Sequence, residues 1–220
     1  MVQQPRESAV GRFIIAITGA SGAIYGVRLI EALVGVGHEV ECVVSNAARG
    51  ILADEVGVHL TGGETERAAT LAAHCHAPAG AVTCYLNSDG YAPIASGSVR
   101  WDGMVISPCS MNTLAAVAHG LADNLILRAA DCTVKEGRRL IMVPRETPFS
   151  AIHLENMLRL ARLGVRIIPP IPAFYTHPQS VADVVDGAVA RVLDHLGVRH
   201  DLVPRWHGRP ASTQDPAGEQ

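Results

Sequence analysis

Two short loops carry hydroxyl and amide side chains where an apolar, strand-like run gives way to a helix-like run. The first reads Thr18-Gly19-Ala20-Ser21-Gly22-Ala23, and the second reads Ser110-Met111-Asn112-Thr113 directly after a Pro-Cys pair. Backbone N–H groups at a helix N-terminus point outward and favour an anion. At the tips of parallel strands both loops converge on one crevice, which suits a phosphate-bearing ligand of nucleotide size.

The glycine spacing leaves the role of the first loop open. Residues 19–22 read GxxG, and the dinucleotide fingerprint GxGxxG is absent. The loop is therefore either an anion or flavin site or a tight turn that packing requires. The second loop by itself could be no more than a helix N-cap.

Charged residues give a second set of candidates. Arg145 and Glu146 directly follow an apolar strand, where a guanidinium and a carboxylate can hold a phosphate and manage a proton. Residues 135–139 are more typical of a solvated helix end. Glu55, near the end of a predicted helix, is by its position alone more typical of a surface carboxylate.

Two aromatic residues lie in loops that could reach the same crevice. Tyr175 follows a Pro-Ala-Phe run, and a buried core tyrosine is the competing interpretation. Trp206 lies in an Arg-Trp pair near the C-terminus. A tryptophan in such a segment packs either on a neighbouring subunit or on a ligand.

The cysteines favour reduced thiols over a disulfide framework or a zinc site. The chain has 5 cysteines and no CxxC. His74-Cys75-His76 contains metal-ligand residue types, but the second ligand pair of a structural zinc site is missing nearby, so a polar surface turn is favoured. Cys42 and Cys132 have apolar neighbours and are predicted core residues.

The hydrophobic periodicity predicts strands that alternate with helices. Predicted strands cover about 12–18, 39–44, 103–106, 140–143 and 165–168, and predicted helices cover 23–36, 47–55, 113–119, 150–163 and 179–196. Residues 57–91 are irregular and read as loops with one helix near 64–74. Strands that are apolar throughout predict an α/β fold, an open doubly wound, mostly parallel sheet with helices on both faces.

Composition bounds the class of the protein. The 220 residues are 48% hydrophobic and 18% charged, which predicts one folded domain over 1–207 and a mobile polar tail over 208–220. A net charge of −3 gives no general attraction to nucleic acid. No uncharged run approaches the roughly 18 residues of a membrane span, and the start lacks a signal-peptide pattern, so we expect a cytoplasmic protein.

Several longer blocks can be compared with known families as strings. They read ITGASGAIYGVRL, VVSNAAR, ASGS, SPCSMNTLAAVAHG, NLILRAADCTVKE, RRLIMVPRETPFS, HLENMLRLARLG and PAFYTHPQS. Together, over about residues 12–206, they resemble the UbiX flavin prenyltransferases. The resemblance implies a Rossmann-like flavoprotein that assembles as a homododecamer with its active sites at subunit junctions.

The resemblance also implies a reaction. The family joins a dimethylallyl group from dimethylallyl monophosphate to N5 and C6 of reduced FMN, and passes the prenylated FMN to a UbiD-type decarboxylase.

The same resemblance assigns roles residue by residue. It gives FMN contacts to Gly19, Ala20, Ser21, Ser45, Ser110, Met111, Asn112, Thr113 and Arg145. It gives prenyl-phosphate contacts to Tyr175, Arg191, Lys135, Ser96 and Trp206, and catalytic roles to Glu146, Glu55 and Ser21. Tyr91, beside Gly90, takes the place of an aromatic residue in the wall of the prenyl pocket.

The residue types agree with this chemistry. No Asp-rich DDxxD motif for Mg²⁺ is present, and Lys135, Arg145 and Arg191 can meet the charge of a leaving phosphate without a metal. Two other functions stay open. One is an FMN-dependent cysteine decarboxylase, which relies on an early catalytic histidine, whereas no histidine precedes His38 here. The other is a flavin-binding carrier or chaperone subunit without turnover.

Overall fold

A single parallel sheet organises the protein. The computed structural model describes residues 10–206 and residue 208. Within this part the strands are β1 (Arg12–Ile17), β2 (Glu39–Val44), β3 (Val82–Leu86), β4 (Gly103–Cys109), β5 (Arg139–Pro144) and β6 (Arg166–Ile167). The α-helices are α1 (Ala23–Gly35), α2 (Asn46–Val56), α3 (Glu64–His74), α4 (Met111–Ala118), α5 (Leu125–Lys135), α6 (Ala151–Arg162) and α7 (Val181–Leu196).

The strand order creates a crevice at one edge of the sheet. The strands are all parallel and lie in the order β3-β2-β1-β4-β5-β6. The strand order changes direction at β1, which pairs with β2 on one side and with β4 on the other. The loops that follow β1 and β4 therefore lead to helices on opposite faces of the sheet. The carboxyl ends of β1 and β4 therefore form the switch point where ligands of such folds bind. The predicted doubly wound α/β fold is confirmed.

The core lies on both faces of the sheet. Alternate residues of β1 point to opposite sides: Ile15 and Ile17 pack with helices α1 and α7, whereas Ile14 packs with α4 and α5. All three isoleucines are fully buried. Two covered faces explain why the strands are apolar along their whole length.

The cysteine predictions hold for the two core positions. Cys42 and Cys132 are buried as predicted, and the other cysteines are buried as well. Cys75 is a core residue at the C-terminus of α3 rather than part of a polar turn. Burial raises the pKa of its thiol to about 12.

The irregular stretch contains a strand that the sequence pattern did not reveal. Helix α3 is confirmed, but Val82–Leu86 forms the edge strand β3 instead of a loop. Its residues are only partly apolar, because an edge strand is covered less completely than the central ones. Of the predicted tail, residues other than Gly208 lie outside the described part of the chain.

None of the helices in the described residues is both long enough and apolar enough to cross a membrane.

Candidate active site

Thr18 links the two strands at the switch point. Its backbone N–H and its Oγ1 both donate to the carbonyl oxygen of Pro108, at 3.2 and 2.9 Å. Oγ1 also accepts from the N–H of Ser110 at 2.8 Å. Thr18 is buried, so these bonds are sheltered from water. The carboxyl ends of β1 and β4 are thereby held together by one side chain.

Three helices begin beside these Thr18 hydrogen bonds, and each is capped by a polar side chain. Ser45 caps α2, Ser110 caps α4 and Asn124 caps α5, through bonds of 3.1 to 3.2 Å to backbone N–H groups of the first turn. Capping satisfies one N–H group of each helix. The N-terminal ends of all three helices border one cleft of about 270 Å³. Their dipoles and remaining N–H groups make this cleft favourable for a phosphate.

The cleft contains predicted residues and residues that the sequence analysis missed. Of the predicted FMN contacts, it is lined by Gly19, Ser45, Ser110, Asn112 and Thr113. The missed lining residues include Asn87, Asn124, Ile126 and Leu127. The side chain of Met111 is buried in the core, so only its backbone can serve a ligand.

Asn87 and Asn124 differ in whether the sequence pattern could have predicted their place in the cleft. Asn87 follows β3 and accepts from Leu125 and Ile126 N–H groups, which fixes the start of α5. It was missed because β3 itself was missed. Asn124, in contrast, precedes an apolar helical run and could have been recognised as an N-cap.

Two glycines allow the close approaches that shape the cleft. A Cβ on Gly19 would lie 2.7 Å from Cβ of Ala47, in the first turn of α2. A Cβ on Gly26 would lie 2.2 Å from the carbonyl oxygen of Ser107, so α1 can pack on β4 only with glycine here. Gly26 thus has the packing role of the last glycine in a dinucleotide fingerprint, although its spacing differs.

Glu55 caps the N-terminus of α1 from the end of α2. Its Oε2 accepts from the N–H groups of Gly22 and Ala23 at 2.8 and 2.9 Å. Burial raises the pKa of Glu55, but hydrogen bonds from Ser21, Gly22 and Ala23 and the charge of Arg145 outweigh it, and the net pKa is lowered. The carboxylate is therefore ionised at neutral pH and holds the first loop in place.

Arg145 and Glu146 lie at the carboxyl end of β5. Nε of Arg145 donates to the carbonyl oxygen of Ser21 at 3.2 Å, so Arg145 joins the loop that Glu55 holds. Glu146 is exposed, and its Oε1 accepts from the N–H of Thr147 at 3.0 Å. Ser21, Glu55 and Arg145 therefore form one cluster, with Glu146 next in the chain.

Lys135 and Ser96 lie at the opposite side of the sheet from the cleft, where the amino ends of the strands are. Lys135 ends α5 just before β5 begins, whereas Arg145 directly follows the end of β5. Six strand residues separate the two edges, a distance of about 20 Å. Lys135 pairs with Glu136, and a Cβ on Gly97 would lie 2.8 Å from Nζ of Lys135. Lys135 and the loop of Ser96 are thus neighbours, far from Arg145 of the same chain.

Tyr175, Trp206 and Arg191 form a third group, outside the cleft. The rings of Tyr175 and Trp206 meet edge to face with centroids 5.9 Å apart, and both side chains are exposed. Arg191 is exposed on α7 and pairs with Asp194 at 3.3 Å. Tyr91, predicted in the pocket wall, is fully exposed. One protomer therefore brings five of the nine predicted FMN contacts to one cleft, whereas the predicted prenyl-phosphate contacts lie apart from it.

Comparisons with known proteins show the family of this chain. The Flavoprotein family model matches residues 1–193. The flavin prenyltransferase UbiX of Pseudomonas aeruginosa is 50% identical over 195 residues, which cover 89% of this chain and 93% of that protein.

Two solved structures are similar over nearly the whole chain. A dodecameric FMN-dependent UbiX-like decarboxylase from Escherichia coli O157:H7 has 44% identity and a TM-score of 0.79, covering 90% of this chain and 100% of its own. AnUbiX (PadA1), solved in complex with FMN and dimethylallyl pyrophosphate, has 39% identity and a TM-score of 0.82, covering 92% and 100%. With this identity over most of its length, the chain belongs to the UbiX family of flavin prenyltransferases.

Proposed function

We propose that this protein transfers a dimethylallyl group from dimethylallyl monophosphate to N5 and C6 of reduced FMN. The observation that carries the proposal is the cleft at the switch point, where α2, α4 and α5 all begin. Three helix N-termini around one cleft favour a phosphate-bearing ligand, and family membership makes FMN that ligand.

The cleft residues fit FMN. Gly19, Ser45, Ser110, Asn112 and Thr113 supply N–H groups, hydroxyls and an amide around it. Arg145 and the Ser21 loop lie beside it, held by Glu55. When bound, reduced FMN supplies the nucleophilic ring nitrogen. The protein's part is to fix the ring and to exclude water from the reacting atoms.

Cationic side chains are proposed to stabilise the leaving group. The C–O bond of the allylic ester breaks, and the phosphate leaves with the electron pair. Lys135, Arg145 and Arg191 balance the charge that develops on its oxygens. Because Lys135 and Arg145 lie at opposite edges of one sheet, we propose that different copies of the chain supply them, in a homododecamer like that of the Escherichia coli relative.

Aromatic side chains are proposed to shelter the prenyl fragment. As the phosphate leaves, positive charge develops on the allylic carbons. The π faces of Tyr175 and Trp206, already in contact with each other, can stabilise it by up to about 2 kcal/mol once water is excluded.

Glu146 is proposed as the proton acceptor. In the formation of the second bond, C6 adds to one carbon of the prenyl double bond, the other carbon of that double bond gains a proton from the hydrogen phosphate that has left, and C6 loses its own proton. An exposed carboxylate after β5 can accept the proton from C6. Glu55 acts differently, because its Oε2 accepts hydrogen bonds from the start of α1. We propose that it orients the loop of Ser21 against the edge of the flavin.

The alternative of a cysteine decarboxylase is less well supported. The first histidine in the chain, His38, lies just before β2, at the edge opposite the cleft. Its Nδ1 accepts from the N–H of Gly11 at 2.9 Å, and its ring packs on Phe13. A carrier without turnover leaves the cationic residues and Glu146 without a role. We further propose that the product goes to a UbiD-type decarboxylase, and that the reaction takes place in the cytoplasm, since five unpaired cysteines suit a reducing compartment.

The proposal is tested by the mass of the flavin. Purified protein is incubated without oxygen or added metal, with reduced FMN and dimethylallyl monophosphate. The expected product is a flavin heavier by one C5 unit. Recovery of unmodified FMN alone would count against prenyl transfer, and conversion of a C-terminal peptidyl cysteine to an enethiol would select the decarboxylase instead.

A further inference from the structure

One carboxylate, that of Asp194, holds groups from three parts of the C-terminal region. Its Oδ2 lies 3.3 Å from Nη1 of Arg191, one turn earlier on α7. Its Oδ1 accepts from Nη1 of Arg205 at 2.6 Å and lies 3.2 Å from Nε2 of His200. Asp194 is not among the predicted cofactor or substrate contacts.

The bond to His200 is built into the fold. The side chain of His200 is only 2% exposed, and its Nδ1 accepts from the N–H of Leu202 at 3.4 Å. Nε2 lies 3.2 Å from Oδ1 of Asp194 and 3.2 Å from Nη2 of Arg205, so His200 contacts both members of the Asp194–Arg205 pair. Burial raises the pKa of Asp194, but hydrogen bonds from Arg205 and His200 and their charges outweigh it, and the net pKa is lowered. The segment after α7 is thus held to the ionised carboxylate of Asp194 through two side chains, His200 and Arg205.

This pinning reaches the aromatic pair. Trp206 directly follows Arg205 in the chain, and its ring contacts Tyr175 edge to face. The position of Arg205 therefore sets the position of Trp206, and through it that of Tyr175. The other oxygen of the same carboxylate orients Arg191.

We infer that Asp194 is a positioning residue for the prenyl phosphate, setting Arg191 and Trp206 relative to each other. This inference rests on the proposed function, because it takes Arg191 as a phosphate contact and Trp206 as a prenyl contact. Without the carboxylate, two guanidinium groups face each other unbalanced, so Arg205 and Trp206 move away and Arg191 loses its orientation.

Asp186 provides a matched control. It also lies on α7, and it pairs with Arg28 of α1 at 2.6 Å. Asp186 therefore joins two helices through a guanidinium as Asp194 joins α7 to the following segment, but no predicted substrate contact is among its partners in the described residues. Asp186→Asn reports what losing a structural ion pair on this helix does.

The test compares the affinity for dimethylallyl monophosphate of protein loaded with oxidised FMN, which cannot react. By calorimetry, Asp194→Asn is expected to weaken this binding at least about tenfold, while Asp186→Asn and the affinity for FMN stay within about twofold. Trypsin should cut after Arg205 faster in Asp194→Asn, because the side chain is no longer held. If Asp194→Asn does not fold, Arg205→Ala releases the same segment from the other side.

A double-mutant cycle separates positioning from general stability. Asp194→Asn and Trp206→Phe should be non-additive in their effect on binding, because one acts through the other. Additive effects, or equal losses in Asp194→Asn and Asp186→Asn, overturn the inference. Wild-type protein that binds dimethylallyl monophosphate but forms no prenylated FMN when it is given reduced FMN contradicts the proposed function, while the binding data with oxidised FMN still decide the role of Asp194.

Discussion

The cofactor cleft and the predicted prenyl-phosphate contacts differ in how completely one chain builds them. At the cleft, Thr18 holds β1 to β4, and Glu55 and Arg145 hold the loop before α1. The prenyl-phosphate residues instead lie in two places: Lys135 and Ser96 at the amino edge of the sheet, and Tyr175, Arg191 and Trp206 around α7.

The difference follows from which residues a single parallel sheet can bring together. A parallel sheet brings the ends of its strands to one edge, so a site at that edge is assembled as soon as one chain folds. Residues on helix ends at the other edge can meet it only through another copy. The cleft is therefore a property of the protomer, whereas the proposed function makes the complete site a property of the assembly.

The largest expected effect is that of Glu146, at the carboxyl end of β5, on the rate of prenylation without a change in FMN affinity. Glu146→Gln should lower the rate of prenylation by about 10² to 10⁴, the usual contribution of a positioned acid or base, and leave FMN affinity unchanged. Flavin mass after single turnover and fluorescence titration of FMN measure the two quantities. Glu155→Gln, an exposed carboxylate on α6, is the control. Equal rates in the wild type and Glu146→Gln would remove Glu146 from the mechanism.

Mixed assemblies test whether the two regions meet only between copies. Lys135→Ala and Arg145→Ala are each expected to be inactive. Dissociated, mixed in equal amounts and reassembled, they should recover activity in about a quarter of the sites, since a site then needs one intact residue from each of two copies.

The control for mixing uses neighbouring residues. Arg145→Ala mixed with Glu146→Gln should recover nothing, because both residues lie on one loop. If the first mixture also stays inactive while its parents reassemble normally, Lys135 and Arg145 do not act in one shared site.

A smaller effect tests the preformed character of the cleft. Thr18→Val leaves the half-buried N–H of Ser110 without its partner, which should lower the free energy of unfolding by about 1 to 3 kcal/mol. The affinity for FMN should fall as well, because the ends of β1 and β4 are no longer linked. Urea unfolding and FMN titration measure both. Thr83→Val, at an exposed position of β3, should change neither.

The smallest expected effect concerns Glu55 and depends on pH. Because its pKa is lowered in the folded state, its stabilisation is present at neutral pH and is lost as the pH falls through the folded pKa. Glu55→Gln should reduce the free energy of unfolding by about 0.5 to 1 kcal/mol at pH 7, a modest value because the group is largely exposed.

The same difference should shrink when unfolding is measured below about pH 4.5, near the unfolded pKa of a glutamate. Asp54→Asn, the exposed neighbour, serves as the control. A difference between wild type and Glu55→Gln that is constant down to pH 3 would contradict the capping role.

Much of the fold was predictable because its signals are local. The central strands are apolar along their whole length, and Ser45 and Ser110 precede helices as N-caps. The edge strand β3 was not predictable in this way, since its sides are covered unequally and its sequence carries no uniform pattern. With β3, the position of Asn87 in the cleft was also lost.

The sequence by itself determined the order of the strands and helices other than β3 and α5, and which hydroxyls, amides and charges lie next to the ends of those strands. Only the tertiary structure decided that Glu55 caps α1 by accepting from the N–H of Gly22, 33 residues earlier in the chain. The same holds for the bond between Asp194 and Arg205. The physical reason is that periodicity and capping act between residues close in sequence, whereas these contacts depend on strand order and helix packing.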